Sequence, residues 1–403
     1  MKTLKMTVAS YKKLLTATLV SIMISGCSTD TTATNTNDEM ITSPDSVRTA
    51  PPHTNNKKKI KVALLIDTSN SMDGLIDQAK AQLWKIINEL AKAKCENEKP
   101  DIEISLYEYG NDRLPSSEGY IRQVTIFTSD LDLISEKLFG LTTNGGSEFC
   151  GQVIQCALQQ LEWSANKKDL QLIFIAGNEP FTQGPVSYAA SCRNAVQKDV
   201  VVNTIFCGNF DEGINTSWKN GADFTGGNYM SIEQNKKTEY IQTPYDKQIT
   251  DLNNRLNNTY VGYGRKAEEK KCNQLKQDAN AGQYGAQNEV CRIVAKSSCA
   301  YKNSDWDLVD AKKEKSFDVS KIREEELPAE IQGKPTAVKE EYIEKKSKER
   351  EQIQAEINKI NVKRSAYISE QEKIKGTEDN TLDAAMIIAI KTQAGKKNFV
   401  FEK

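Results

Sequence analysis

The sequence predicts a Rossmann-like open α/β sheet of six mostly parallel strands, with one antiparallel edge strand and helices on both faces, followed by a C-terminal helical region. Three observations carry this. Residues 60–66 form a largely apolar, β-branched run that stops at Asp67-Thr68-Ser69-Asn70-Ser71 and gives way to a helical period, with Leu75, Ala79, Leu83, Ile86 and Leu90 on one face. Residues 170–176 (LQLIFIA) form a second, near-continuous apolar run, the mark of a central strand covered on both faces. Two strand-like stretches, 101–109 and 121–128, are separated by a turn-rich link with no room for a crossover helix, so they form a hairpin and set an antiparallel strand at the edge.

Taken from the start, the chain opens with Lys2, Lys5, Lys12 and Lys13 before an apolar stretch at 14–24 that is too short to span a membrane. Residues 1–26 therefore read as an export signal. It ends in Ile24-Ser25-Gly26-Cys27, which resembles the bacterial lipobox. That resemblance implies cleavage before Cys27 and lipid on the new N-terminus, tethering the protein to a membrane. By similarity to sorting rules, Ser28 directs it to the outer membrane of a bacterial cell envelope, with the periplasmic or surface face left open. Residues 27–56, rich in Thr, Asn, Ser, Asp and Pro, read as a disordered tether.

The α/β domain spans 57–236. After the hairpin come a short helix at 131–138, the polar stretch Thr142-Thr143-Asn144-Gly145-Gly146-Ser147, and a helix over 148–163. The strand at 170–176 then leads into Gly177-Asn178-Glu179-Pro180. A helix near 186–198, a strand at 200–207, a loop at 208–213, a short helix at 218–222 and a strand at 227–232 complete it. Residues 237–330 read as a helical or irregular, cysteine-containing extension, helical over 240–272 apart from Gly262 and Gly264. Residues 331–403 hold a long charged helix with Ile353, Ile357, Ile360, Tyr367 and Ile374 in a coiled-coil-like period, a break at 376–380, and a last apolar helix at 382–391. The simplest arrangement is a hairpin in which the last helix covers the long one. A docking surface for a partner, or self-association, is the alternative.

Composition narrows the function. Lys and Arg number 54 against 55 Asp and Glu in 403 residues, a net charge of −1, which gives no electrostatic reason to expect nucleic acid. The single histidine, His53, lies in the tether, so imidazole acid–base chemistry, a Cys–His pair and most zinc sites are excluded from the folded domain. No nucleophile-elbow motif occurs, and the chain reads as a non-enzyme. Setting Cys27 aside, eight of the nine cysteines remain, Cys95, Cys150, Cys156, Cys192, Cys207, Cys272, Cys291 and Cys299. An even number in an exported chain permits disulfides, and buried free thiols are the alternative. Cys150 and Cys156 stand about 9 Å apart along a helix and do not pair with each other.

Ligands bind beyond the carboxyl ends of strands in such a sheet, which makes the loop at 67–71 the first candidate site. Asp67, Ser69 and Ser71 offer hard oxygen ligands suited to Mg²⁺, Mn²⁺ or Ca²⁺. This loop after the first strand, Gly145-Gly146-Ser147 before a helix and Thr225-Gly226-Gly227-Asn228-Tyr229 late in the domain together resemble the von Willebrand factor type A (VWA) domain. The resemblance covers about 57–236 and implies a metal-ion-dependent adhesion site. Ser69 and Ser71 would bind the ion, Asp67 would hold a coordinated water, and Ser147 would stand for the family's threonine, with Thr143 a substitute. The family's later aspartate falls on Gly177, a departure that puts metal occupancy in question. Asn178 or Glu179 would then reach a metal-bound water.

The resemblance further implies that a partner protein's acidic side chain completes the ion's coordination. The rim of that contact would be Asp112, Phe181, Phe210, Asp211 and Trp218, with Phe181, Phe210 and Trp218 as apolar anchors unless they pack in the core. The alternative function is an envelope assembly protein acting through its C-terminal helices with a degenerate metal site. Hydrolysis ranks below both, because nothing near the serines would serve as a general base.

Overall fold

The computed structural model describes residues 57–236, 240–375 and 381–402. The export signal, Cys27, the tether and the break at 376–380 lie outside the described residues. The α/β part contains, in order, β1 (Lys59–Asp67), α1 (Asp73–Ala91), β2 (Ala93–Cys95), β3 (Asp101–Tyr109), β4 (Ile121–Thr128), α2 (Leu131–Phe139), α3 (Cys150–Gln160) and β5 (Leu170–Gly177). It continues with α4 (Tyr188–Gln197), β6 (Val201–Phe206), α5 (Phe210–Asn215), α6 (Trp218–Asp223) and β7 (Tyr229–Ser231). The main sheet has the order β4-β3-β1-β5-β6-β7. β4 runs antiparallel to β3, and every other pairing is parallel.

Burial explains why β1 and β5 are central. Every residue of β5 is buried. Successive residues of β1 feed opposite layers, Ala63 and Leu65 into the cluster shared with α3 and Val62 and Ile66 into the one shared with α1. Parallel strands covered on both faces need such two-sided apolar runs. Two sequence boundaries shift: the helix expected over 148–163 starts only at Cys150, and the loop expected at 208–213 holds the start of α5.

The C-terminal part holds α7 (Asp246–Asn257), α8 (Ala267–Gln283), α9 (Ala286–Lys296), α10 (Leu308–Ala311), α11 (Thr336–Lys375), α12 (Leu382–Lys396) and β8 (Phe399–Phe401). The helix expected over 240–272 is broken between Asn257 and Ala267, where Gly262 bridges to Asp307 and Gly264 takes a left-handed backbone (φ 78°). The expected hairpin of the last two helices is not formed. α12 packs instead on α1, β5 and β6, burying Leu382, Met386, Ala389 and Ile390, while β8 pairs antiparallel with β2. An apolar helix needs a broad apolar surface, and α11, charged on most sides, offers only a narrow one. The coiled-coil-like stripe of α11 likewise ends early: Ile353 and Ile357 are buried against the core, but Ile374 is 73% exposed.

Buried ions rather than a long apolar seam hold these helices. Arg350 of α11 is buried with its guanidinium 2.6 Å from Asp307 and 3.2 Å from Asp310, and it also bonds Thr259. Arg364 reaches Asp246 at 2.8 Å. Arg292 of α9 lies 2.6 Å from Asp132 on α2 and 2.9 Å from Asp278, with Trp84 of α1 beneath its plane. Lys296, also buried, meets Asp278 at 2.8 Å. Burial brings the Lys296 ammonium down to about 8 against the pull of Asp278. The eight cysteines named above are all free thiols, so no disulfide contributes.

Two outcomes follow for stability. Arg350→Met strands Asp307 without its counter-ion, and urea unfolding should show a loss of about 3–5 kcal/mol; a change below about 1 kcal/mol contradicts the role given to this pair. Lys296 in the folded state gives up its proton near 8, before the unfolded chain does near 10.5. Across that window the unfolded state binds more protons, so folding gains stability from this group as pH rises. The unfolding free energy of the wild type relative to Lys296→Met should therefore move in the wild type's favour between those two pH values; a flat difference contradicts it.

Candidate functional site

β1 delivers the site. Its last residue, Asp67, is fully buried at the carboxyl end of the sheet, and Thr68 N–H extends the ladder by bonding Tyr109 O at 2.9 Å. Asp67 Oδ1 then accepts from Ser69 N–H at 2.7 Å, a carboxylate-capped turn that reverses the chain. A short turn from Asn70 to buried Met72 follows, closed by Met72 N–H to Ser69 O at 3.0 Å. The outcome is that Ser69 Oγ and Ser71 Oγ come within 3.1 Å of each other. Neighbouring loops hold the turn in place. Asn144 N–H bonds Thr68 O at 3.0 Å, Asn111 Nδ2 bonds Thr142 O at 2.9 Å, and Gln234 Nε2 bonds Ser71 O at 2.8 Å.

A residue that the sequence reading passed over stands beside this turn. Glu148, on the loop before α3, is only 4% exposed, and its carboxylate interacts with Asp67, with Ser69 and with the backbone N–H of Glu179. Asp67 Oδ2 and Glu148 Oε2 are both buried without a hydrogen-bond partner. Burial first, then the Glu148 charge, push the Asp67 carboxyl well above the usual carboxylate range; burial raises Glu148 as well. Beneath them Cys150 and Cys207 are buried thiols pushed well above their ordinary value, so they offer no thiolate. The signal for Glu148 was an acid directly after Gly145-Gly146-Ser147. In sequence, it looks the same as any acid in a helix's first turn.

Gly177 has a steric cause. A Cβ there would lie 2.5 Å from Tyr109 Oη and 3.1 Å from Asp67 Oδ2. Tyr109 is itself fixed, its hydroxyl donating to Ala176 O at 2.9 Å. An aspartate at 177 is therefore incompatible with this tyrosine.

The other expected site residues divide. Asn178 is drawn in, its side-chain amide 3.2 Å from Ser71 Oγ. Glu179 contributes backbone, its N–H to Glu148 and its carbonyl to Trp218 Nε1 at 2.8 Å. Thr143 is turned to the first turn of α1, where it bonds Asp73. Ser147 is half-buried next to Glu148, and among the described residues no hydrogen bond links it to Asp67, Ser69 or Ser71. On the rim, Asp112 and Asp211 are exposed and Phe210 is 50% exposed. Phe181 and Trp218 are not on it: both are fully buried, 4.8 Å apart between ring centres, with Trp218 also against Phe206. They pack because the loop after β5 is bonded around the start of α6, Phe181 N–H to Thr216 O at 2.9 Å and Trp218 Nε1 to Glu179 O at 2.8 Å, which brings the two rings together in the core.

Oxygen is what this site offers a ligand. Among the described residues no three His, Cys, Asp or Glu side chains gather as a metal cluster. The donor set is two hydroxyls and two carboxylates, and two orphaned, buried carboxylate oxygens are what a hard divalent cation would satisfy. The residues present therefore fit such an ion. The loop set, at the carboxyl ends of β1 and β5 in a sheet with one antiparallel edge, is that named above as a resemblance. The α/β unit is a six-stranded, mostly parallel sheet with one antiparallel edge strand, flanked by helices.

No family model matches the chain, and no curated protein does. Solved structures are similar over part of it. Proximal thread matrix protein 1 from the mussel byssus is 11% identical over 43% of this chain and 41% of its own, with a TM-score of 0.31. BatB from Bacteroides thetaiotaomicron, a conserved hypothetical protein, is 13% identical over 43% of this chain and 90% of its own, with a TM-score of 0.33. The VWA domain of SpRpn10 is 18% identical over 43% of this chain and 87% of its own, with a TM-score of 0.31. This chain thus spans about two fifths of the mussel protein.

Gly177→Ala tests the steric account. Forcing a methyl against Tyr109 and Asp67 should cost about 1–3 kcal/mol in chemical unfolding. Pairing it with Tyr109→Phe, which removes the hydroxyl, should recover part of that loss; an additive double variant contradicts the contact.

Proposed function

We propose that this protein is a non-catalytic, membrane-tethered binding module that uses a divalent cation, Mg²⁺ or Mn²⁺ in preference to Ca²⁺, to engage an acidic side chain of a partner protein. The observation that carries it is the convergence of Ser69 and Ser71 hydroxyls, 3.1 Å apart, over a buried Asp67 whose second oxygen has no partner. Ser69 and Ser71 would hold the ion directly, and Asp67 would orient the turn through Ser69 N–H while keeping negative charge beneath it. A bound divalent cation supplies an open position that a carboxylate oxygen can take in place of water. Asn178 orients the Ser71 hydroxyl, and Phe210, Asp211 and Asp112 are the exposed residues available to the partner.

Chemistry argues against hydrolysis at these serines. The acid–base groups beside these serines are the carboxyls of Asp67 and Glu148, with Asp67 already accepting from Ser69 N–H, and His53 lies in the tether. Lipid on Cys27 and the outer-membrane position belong to the same proposal, resting on the lipobox-like residues 24–27. No helix among the described residues is long and apolar enough to cross a membrane.

Capture from a cell-envelope extract on the immobilised protein tests the reading. Proteins should be retained in Mg²⁺, released by EDTA, and not retained by the Ser69→Ala/Ser71→Ala variant. Retention that is equal in EDTA and equal on the variant contradicts a cation-bridged contact.

A further inference from the structure

We propose that Glu148 is a ligand-side carboxylate of the cation site, supplying from the loop before α3 the negative charge that Gly177 cannot carry at the end of β5. This rests on the cation reading above and deepens it. Two independent observations point to it. The first is that Glu148 Oε2 and Asp67 Oδ2 are buried oxygens, each without a hydrogen-bond partner, on residues 4% and 0% exposed. The second is the close approach at Gly110 (φ 79°), where a Cβ would stand 2.7 Å from Glu148 Cγ and 2.8 Å from Asp67 Oδ1. One small residue thus faces both acids and lets them sit side by side, against Ser69.

A pair kept for structure alone would be given donors, because an orphaned buried acceptor is costly and two like charges away from water are costlier still. Ser69 serves Asp67 through its N–H and its side chain and also reaches Glu148, which meets Glu179 N–H as well, yet Asp67 Oδ2 and Glu148 Oε2 are left without a donor. Among the described residues no Lys or Arg pairs with either acid. A proton shared between the two carboxyls or a cation between them would satisfy both, and the paired Ser69 and Ser71 hydroxyls beside them favour the cation. Position 177 is closed to an aspartate by Tyr109 Oη, which explains why the charge enters from across the site.

The consequence is chemical. Two carboxylates balance a divalent ion, so the ion is retained more firmly and draws a partner's carboxylate less strongly than an ion balanced by one. A partner contact of this kind is readily reversible.

Titration of Mn²⁺ into the wild type, Glu148→Gln and Ser69→Ala/Ser71→Ala, with the unfolding temperature of each in EDTA, tests this. Glu148→Gln should bind Mn²⁺ at least tenfold more weakly while unfolding in EDTA at the same or a higher temperature, since the carboxylate repulsion is gone. The serine variant should lose binding. Glu148→Gln within twofold of the wild type, with the serine variant inactive, overturns the assignment and leaves the cation reading standing. Weaker binding together with a lower unfolding temperature in EDTA also overturns it, by making Glu148 a packing residue. A wild type that takes up no Mn²⁺ removes both.

Discussion

Two acids buried side by side set the terms for this protein. Asp67 and Glu148 come from elements far apart in sequence, a strand end and a helix-entry loop, and are held together by glycines at 110 and 177 that leave room for them and by Tyr109 beneath. Burial raises the cost of both ionised forms, and Glu148 raises it further for Asp67. Natural domains keep such an arrangement when something binds there. The serine turn above the pair gives the direction, outward from the carboxyl edge of the sheet, in which that something is presented.

The rest of the chain serves to keep this edge rigid and accessible. One face of the sheet is covered by α12, which lies on α1, β5 and β6. α8 and α9 are bound to α1 and α2 by Arg292, with Asp132, Asp278 and Trp84 around it. α11 is clasped by Arg350 and Arg364. Buried ion pairs of this kind add little net stability over an apolar core but penalise any arrangement that separates them. They fix the helical region in one register against the domain while leaving Asn70 and Ser71 exposed.

The sheet was legible in the sequence because its signals are local. The two-sided apolar runs at 60–66 and 170–176, and a hairpin link too short for a helix, leave little choice of order. Asp67, Ser69 and Ser71 were legible for the same reason, as a polar break at a strand end. Glu148 was not, since an acid in a helix's first turn is ordinary, and its place depends on a close approach at Gly110 in another loop. Phe181 and Trp218 next to polar loops read equally well as rim or core, and only the path of α6 decides. Arg292 and Asp278 look like surface charges until α8 and α9 meet α2. β2 and β8 are three residues each, too short to stand out before the ends of the chain are brought together.

The central claim is that the serine turn and the buried acids form one cation site. Crystals grown with Mn²⁺ and measured at the manganese absorption edge test it most directly. The account predicts an anomalous peak bounded by Ser69, Ser71 and the carboxylates of Asp67 and Glu148. A well-ordered turn with no peak there, or with manganese held only by surface acids elsewhere, would contradict it.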